Sequence, residues 1–110
     1  HINTGMPSLC RHGDLGSTGH KCTTKIGTIS SQGTVFANGI PVSRSGDKSM
    51  KHLILVPCPP PAGRKCCVPH KSQINRGSNA VFVQGIGVAR EGDSHDAGEM
   101  LPGSFNVFAG

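Results

Sequence analysis

The chain has 110 residues, enough for one domain, and only 35% of them are hydrophobic. Its 16 glycines and 8 prolines argue against long helices, and no apolar stretch is long enough to span a bilayer. The formal net charge of +5 permits an anionic partner, but the basic residues are dispersed without a run of like charge. We therefore expect an all-β fold of short strands joined by tight turns.

The first segment, residues 5–14, ends in the corner Arg11-His12-Gly13-Asp14, whose pattern is Arg-x-Gly-Asp. An Asp after Gly at a turn accepts hydrogen bonds from local backbone N–H groups. We therefore interpret this Asp as structural rather than catalytic. The next segment, residues 15–34, is rich in Ser, Thr and Gly and predicts a loop that carries His20 and Cys22.

Residues 35–47 predict the first complete hairpin. Its Asn38-Gly39 pair is a strong tight-turn signal, because both residues accept positive φ at low cost. The hairpin ends in a second Arg-x-Gly-Asp corner, at Arg44 and Asp47.

A long insertion, residues 48–76, follows the first hairpin. Its prolines rule out a regular helix, and a loop of this length is usually functional or tied down. The residues in it that have ligand chemistry are His52, Cys58, Cys66, Cys67 and His70.

The second complete hairpin, residues 77–93, repeats the first at a distance of 46 positions, from Val35 to Val81 and from Asp47 to Asp93. A short loop carrying His95 follows it, and the chain closes with residues 103–110, the first half of a further unit.

The third unit is thus split between residues 103–110 and 5–14. A split repeat is typical of a closed ring, which leaves no sheet edge at the seam. We predict that residues 1–110 form one domain, a pseudo-three-fold conical or triangular β-prism in which Gly110 lies near Gly5.

Five cysteines and six histidines are many for this length. An odd number of cysteines cannot close into intrachain disulfides alone, and no secretory segment precedes them. We therefore expect metal ligation rather than a disulfide framework, with Cys66 and Cys67 as reduced or packing residues. The roles of Cys10 and Cys22 stay open, and Cys22 is an alternative to its neighbour His20 as a ligand.

Four of the six histidines and most of the cysteines follow the Arg-x-Gly-Asp corners, and none of these residues lies inside the two complete hairpins. Equivalent loops of a three-fold ring project from the same end. We expect these loops to bring their ligands together at one vertex.

With its three corners in split-repeat order, the chain resembles the PAAR-repeat family of spike-tip proteins. The resemblance rests on residues 35–47, 77–93 and 103–110, and the Pro-Ala-Ala triplet is replaced by Pro41-Val42-Ser43 and Gly87-Val88-Ala89. It implies one bound zinc or iron ion, held by loop histidines and a cysteine. By loop position the ligands are His20, His52 and His70, with Cys58 as the fourth and His95 as its alternate.

The resemblance also implies the function. We expect a structural, non-enzymatic tip that binds the trimeric β-helical central spike of a contractile injection machine and meets the host cell envelope transiently. It implies location in a phage tail baseplate, favoured by the absence of an appended effector domain, or otherwise in a type VI secretion apparatus. Nucleic acid and small-molecule substrates are not expected as partners.

Two other functions have weaker support. A small zinc module that binds nucleic acid fits the charge, but paired Cys-x-x-Cys motifs and an aromatic stacking platform are missing. A metallohydrolase needs an open metal position beside a cleft, which a ring of tight hairpins does not provide.

The docking face for the spike is predicted at the hairpin turns. Ile40 and Ile86 recur at the same place after the turn glycine, and Met6 takes the third place. Three near-equivalent apolar patches suit a three-fold partner.

Overall fold

The computed structural model describes residues 6–110, in which ten short strands form five antiparallel pairs without a helix. Each pair joins strands that are consecutive in the chain. The strands are β1 Leu15–Ser17, β2 Lys25–Gly27, β3 Phe36–Ala37, β4 Ile40–Pro41, β5 His52–Pro57, β6 Lys65–His70, β7 Phe82–Val83, β8 Ile86–Gly87, β9 Ser94–His95 and β10 Gly98–Glu99. The all-β prediction is confirmed. Between Met6 and Gly110 we find no helix with the length and apolar character needed to cross a membrane.

The two predicted hairpins are present as β3–β4 and β7–β8. Each turns through two residues with positive φ, Asn38 (55°) and Gly39 (74°) in the first and Gln84 (53°) and Gly85 (79°) in the second. Positive φ at both central residues defines the turn whose twist matches that of paired strands. The second hairpin reaches this geometry with Gln where the first has Asn.

Three segments from the three repeat units exchange backbone hydrogen bonds in a closed circuit. The N–H of Ser43 donates to the carbonyl of Cys10 (3.0 Å), that of Ala89 to Ser43 (2.8 Å), and that of Cys10 to Ala89 (2.9 Å). Ser43 and Ala89 are repeat equivalents, and Cys10 takes the third place in the split unit. The three units therefore meet around one common axis.

The principal core has the same three-part organisation. It contains one pair of small apolar side chains from each unit, namely Ala37 with Val42, Val83 with Val88, and Ala109 with Leu9. We call the described parts of the three units, residues 6–14, 35–47, 77–93 and 103–110, the repeat body.

The two ends of the chain lie side by side. Ala109 donates its N–H to the carbonyl of Pro7 (3.1 Å), and Leu9 donates to Val107 (2.9 Å). The expected partner of Gly110, Gly5, lies outside the described residues. Closure of the ring stays a prediction, and these bonds are consistent with it.

The Arg-x-Gly-Asp corners are built as local turns. At each corner the Asp carboxylate accepts the N–H of the Arg three residues earlier, at 2.8 Å for Asp14, Asp47 and Asp93. Arg11 and Arg90 also pair with their own Asp through the guanidinium. The buried side chain of Arg44 instead donates to Ser31 and Gln84.

The insertion, which we expected to lack a helix and to be functional or tied down, contains a regular hairpin. Strands β5 and β6 pair along six residues each, from His52 opposite His70 to Pro57 opposite Lys65. Pro57 and Pro69 fit within the strands, because both strands of a two-stranded sheet are edge strands.

The expectation of metal ligation or reduced thiols is wrong for Cys58, Cys66 and Cys67, and Cys22, whose role was open, is also in a disulfide. Cys22 is joined to Cys67 and Cys58 to Cys66 by disulfides, while Cys10 is a free, buried thiol. The adjacent Cys66 and Cys67 bond to different segments because successive strand residues point to opposite faces. We call residues 52–70 the cross-linked hairpin.

Candidate metal centre

Three histidines converge on one carboxylate. His20 and His70 place Nε2 at 3.1 and 3.3 Å from Oδ1 of Asp96, and His52 places Nε2 at 3.0 Å from Oδ2. The ring centroids of His52 and His70 are 5.1 Å apart, and those of His20 and His70 are 5.4 Å apart. His20, His70 and Asp96 each contribute one ligand atom to a group that could hold a metal ion, and these atoms all lie within 4.8 Å of one another. His52 reaches this group through the second carboxylate oxygen.

Each histidine is positioned by a different local structure. His52 and His70 face each other as the first pair of the cross-linked hairpin, where directly opposite side chains share a face. His20 lies in the turn after β1, where its own backbone N–H donates to the hydroxyl oxygen of Thr18 at 3.1 Å. Thr18 is completely buried, so this turn is anchored to the interior.

Asp96 sits in the turn between β9 and β10, with a φ of 51°. Burial acts to raise the pKa of its carboxyl, but its contacts with the ring nitrogens of His20, His70 and His52 outweigh burial and lower the pKa below its ordinary value. The carboxylate is therefore ionised at neutral pH, as a metal ligand must be.

Both ring nitrogens of His52 face oxygens that can only accept hydrogen bonds. Nδ1 of His52 lies 3.2 Å from the carbonyl of Met50, which can only accept, so a hydrogen bond there needs the proton on Nδ1. A neutral ring then presents a lone pair at Nε2, directly toward the acidic oxygen of Asp96. The side chain of His52 is completely buried, and two facing acceptors there require either a protonated ring or a bound cation. A backbone carbonyl on Nδ1 is also the usual support for a metal-binding histidine.

The predicted fourth ligands are placed elsewhere. Cys58 is bonded to Cys66 at the far end of the cross-linked hairpin, and a disulfide sulfur is not the thiolate that binds metal. His95 is completely buried, its Nδ1 lies 3.0 Å from the carbonyl of Ser17, and its ring packs against Gly16. The structure brings neither residue to the three histidines.

Asp96 is the residue that sequence reasoning missed. It lies in the third corner-following loop, one position after His95, which was named as the alternate ligand. His95 closes a strand pair and points inward, so its neighbour faces the histidines. The signal was its position in the third corner-following loop, directly after the residue named as the alternate ligand.

The candidate docking residues lie among other exposed apolar side chains. Ile86 and Met6 are exposed and Ile40 is half-buried. The phenylalanines of the three repeat units are more prominent than Ile86, with exposures of 52% at Phe36, 55% at Phe82 and 46% at Phe108. A concavity lined by Phe36, Phe108 and apolar residues of all three units lies beside them, as expected at a pseudo-three-fold axis.

Comparison with known protein families gives one match, and no curated protein matches the chain. The matching family is described as the PAAR motif, and its model covers residues 16–102. That span includes both complete repeats, the cross-linked hairpin, and the candidate ligands His20, His52, His70 and Asp96. The family supports a structural spike-tip role in a contractile injection or type VI system. With a match over most of its length, the chain belongs to the PAAR motif family.

Proposed function

We propose that residues 1–110 form one tip domain that caps the trimeric β-helical central spike of a contractile injection machine and pierces the target envelope. A phage baseplate is the favoured setting, and a type VI apparatus is the alternative. The role is structural and needs no catalytic step.

The observation that carries this proposal is the set of three equivalent apolar patches. Phe36, Phe82 and Phe108 are related by the repeat, and each follows an exposed or half-buried valine, at Val35, Val81 and Val107. A trimeric partner presents three identical surfaces, so one asymmetric chain can satisfy all three with near-equivalent contacts. Large aromatic side chains supply most of the binding energy in protein interfaces. Ile40, Ile86 and Met6 would extend this face around the hairpin turns.

The test is a pull-down of purified chain with the cognate trimeric spike protein. Phe36→Asp combined with Phe82→Asp should abolish capture, because each change places an unpaired charge in an apolar contact. The matched control is Met50→Asp with Leu53→Asp, which changes two apolar side chains that are each 42% exposed outside the repeat body. Retained capture by the first variant, or equal loss by both, would contradict the docking face.

We also propose that His20, His52, His70 and Asp96 hold one structural zinc, with iron as the alternative metal. Nitrogen and carboxylate donors suit tetrahedral zinc, and four protein ligands make a closed site with no position left for a substrate. Bound there, the ion would cross-link three loops that are distant in sequence. Cys58 and His95, the sequence-based choices for the fourth ligand, are replaced by Asp96 in this proposal.

Elemental analysis of freshly purified protein should give one metal per chain. Asp96→Asn should weaken binding tenfold or more while His95→Gln leaves the stoichiometry at one. A chain that carries no metal after purification and takes up none from zinc or iron solutions would refute this site without affecting the docking proposal.

A further inference from the structure

Charge is segregated along the chain in a way that net charge conceals. Eight of the eleven basic residues lie in the segments 15–34 and 48–76, which contain no acidic residue. All eight are exposed, and among the residues described none of them forms a salt bridge to an aspartate or glutamate. The remaining three arginines occupy the Arg-x-Gly-Asp corners beside their aspartates.

Five of these cations lie in the cross-linked hairpin or beside it. Lys51 and Lys71 flank the His52–His70 pair where the hairpin begins, and Arg64 and Lys65 lie at its far end. Lys21 is adjacent to Cys22, which is disulfide-bonded to the hairpin through Cys67. The cations therefore accompany the hairpin from its root to its tip.

The same hairpin exposes aliphatic surface but no aromatic surface. Leu53 is directly opposite Pro69 and both are exposed, so they share an outward face. The turn that follows Cys58 adds exposed Pro59, Pro60 and Pro61. All four phenylalanines of the chain lie outside the hairpin.

The hairpin is also long and rigid. The described residues extend over 52 × 31 × 23 Å, and the hairpin runs about 17 Å beyond His52 at the usual rise of a strand. A two-stranded sheet alone is marginally stable in water, but here two disulfides hold it. Its backbone is already ordered before binding, so its cations and prolines can contact a surface without the entropy cost of folding the hairpin.

We infer that the cross-linked hairpin binds the anionic headgroups of a lipid bilayer. Exposed lysine and arginine beside aliphatic side chains are the features that hold a protein at a membrane interface. Single-stranded nucleic acid would favour aromatic stacking surfaces, which this hairpin lacks. The inference rests on the charge and exposure of the hairpin and does not require spike docking or metal binding.

The experiment measures sedimentation of the purified chain with vesicles. Binding should be strong with phosphatidylcholine containing 40% phosphatidylglycerol, weak with phosphatidylcholine alone, and should fall steeply between 50 and 500 mM salt. A basic residue near an anionic surface contributes about fivefold in affinity. The triple variant Lys51→Gln, Arg64→Gln, Lys65→Gln should therefore bind about a hundredfold more weakly.

A matched control separates this hairpin from net charge. Lys25→Gln, Lys48→Gln, Arg76→Gln also removes three exposed cations and leaves the same net charge, but none of these residues lies in the hairpin or directly next to it. It should retain affinity within about fivefold of the unmodified chain. Circular dichroism and disulfide counts verify that both variants are folded.

Three outcomes overturn the inference: equal loss in the two triple variants, equal binding to neutral and anionic vesicles, or no binding to either. Tighter binding to single-stranded DNA than to anionic vesicles at 150 mM salt would also overturn it, in favour of a nucleic-acid partner. Because the isolated chain is used without spike protein, failure here leaves the docking proposal intact.

Discussion

The repeat body and the cross-linked hairpin achieve rigidity by different means. In the repeat body, three copies of one unit satisfy each other's backbone groups around an axis and share a core of small apolar side chains. The hairpin has no repeat copies to pack against, and disulfides at Cys22–Cys67 and Cys58–Cys66 hold it together with the backbone hydrogen bond from Thr23 to Leu53. Symmetric packing provides rigidity where copies of one unit can pack against one another. An element that projects away from them needs covalent support.

The largest effect on the free energy of unfolding is expected at Gly87, where the backbone of the repeat body is too tightly packed for a side chain. In Gly87→Ala, the new methyl group would collide with the carbonyl oxygen of Ser78, a backbone atom that cannot move aside alone. We expect a loss of about 3 kcal/mol or more in the free energy of unfolding, measured by urea denaturation. Gly33→Ala is the control, because the space around Gly33 is open and the change should be nearly neutral. Equal stability of the two variants would contradict the tight packing at Gly87.

The second expected effect is confined to the hairpin. Removing the long-range disulfide by Cys22→Ser with Cys67→Ser should cost about 2–4 kcal/mol in the stability of the cross-linked hairpin. Amide hydrogen exchange should then accelerate over residues 52–70 while the N–H groups of Ser43 and Ala89 stay protected. Uniform acceleration throughout the chain would show that the two regions unfold together.

The same disulfide should also influence the metal centre. It joins the loop of His20 to the strand of His70, so it limits the freedom of two candidate ligands before metal binds. We expect reduction with a non-chelating phosphine to weaken zinc affinity about tenfold, measured by competition with a chromogenic chelator. The control is Cys58→Ser with Cys66→Ser, which removes the distal disulfide and should leave affinity within about threefold. Unchanged zinc affinity after complete reduction would contradict a link between this disulfide and the metal centre.

The last effect is confined to alkaline pH and tests the free thiol inside the repeat body. Burial, followed by the negative charges of Asp14, Asp93 and Glu91, raises the pKa of Cys10 to about 12, from an ordinary value of 9.0. The unfolded chain therefore ionises first, so this contribution to stability is complete below pH 9 and declines as pH rises toward 12. The expected decline is about 1 kcal/mol per pH unit, and Cys10→Ala should have a correspondingly shallower pH dependence. Identical slopes for the two proteins, or rapid reaction of Cys10 with a thiol reagent at pH 8 in the folded state, would contradict this burial.

The repeat pattern predicted much of the repeat body because each unit is local. The Asn38-Gly39 turn, the Arg-x-Gly-Asp corners and the period of 46 residues depend on backbone conformations that neighbouring residues set by themselves. The grouping of His20, His52 and His70 also followed from loop positions within that pattern.

Tertiary structure decided the rest, because those features depend on which distant segments become neighbours. Cys22 and Cys67 are 45 residues apart, and pairing of several cysteines cannot be deduced from their spacing. Because the hairpin strands are six residues long, Cys58 lies at the far end from the histidines. His95 points into the interior, and Asp96 contacts the histidines where His95 was expected as a ligand. A repeated sequence determines the units and their order, whereas register and packing determine which side chains finally meet.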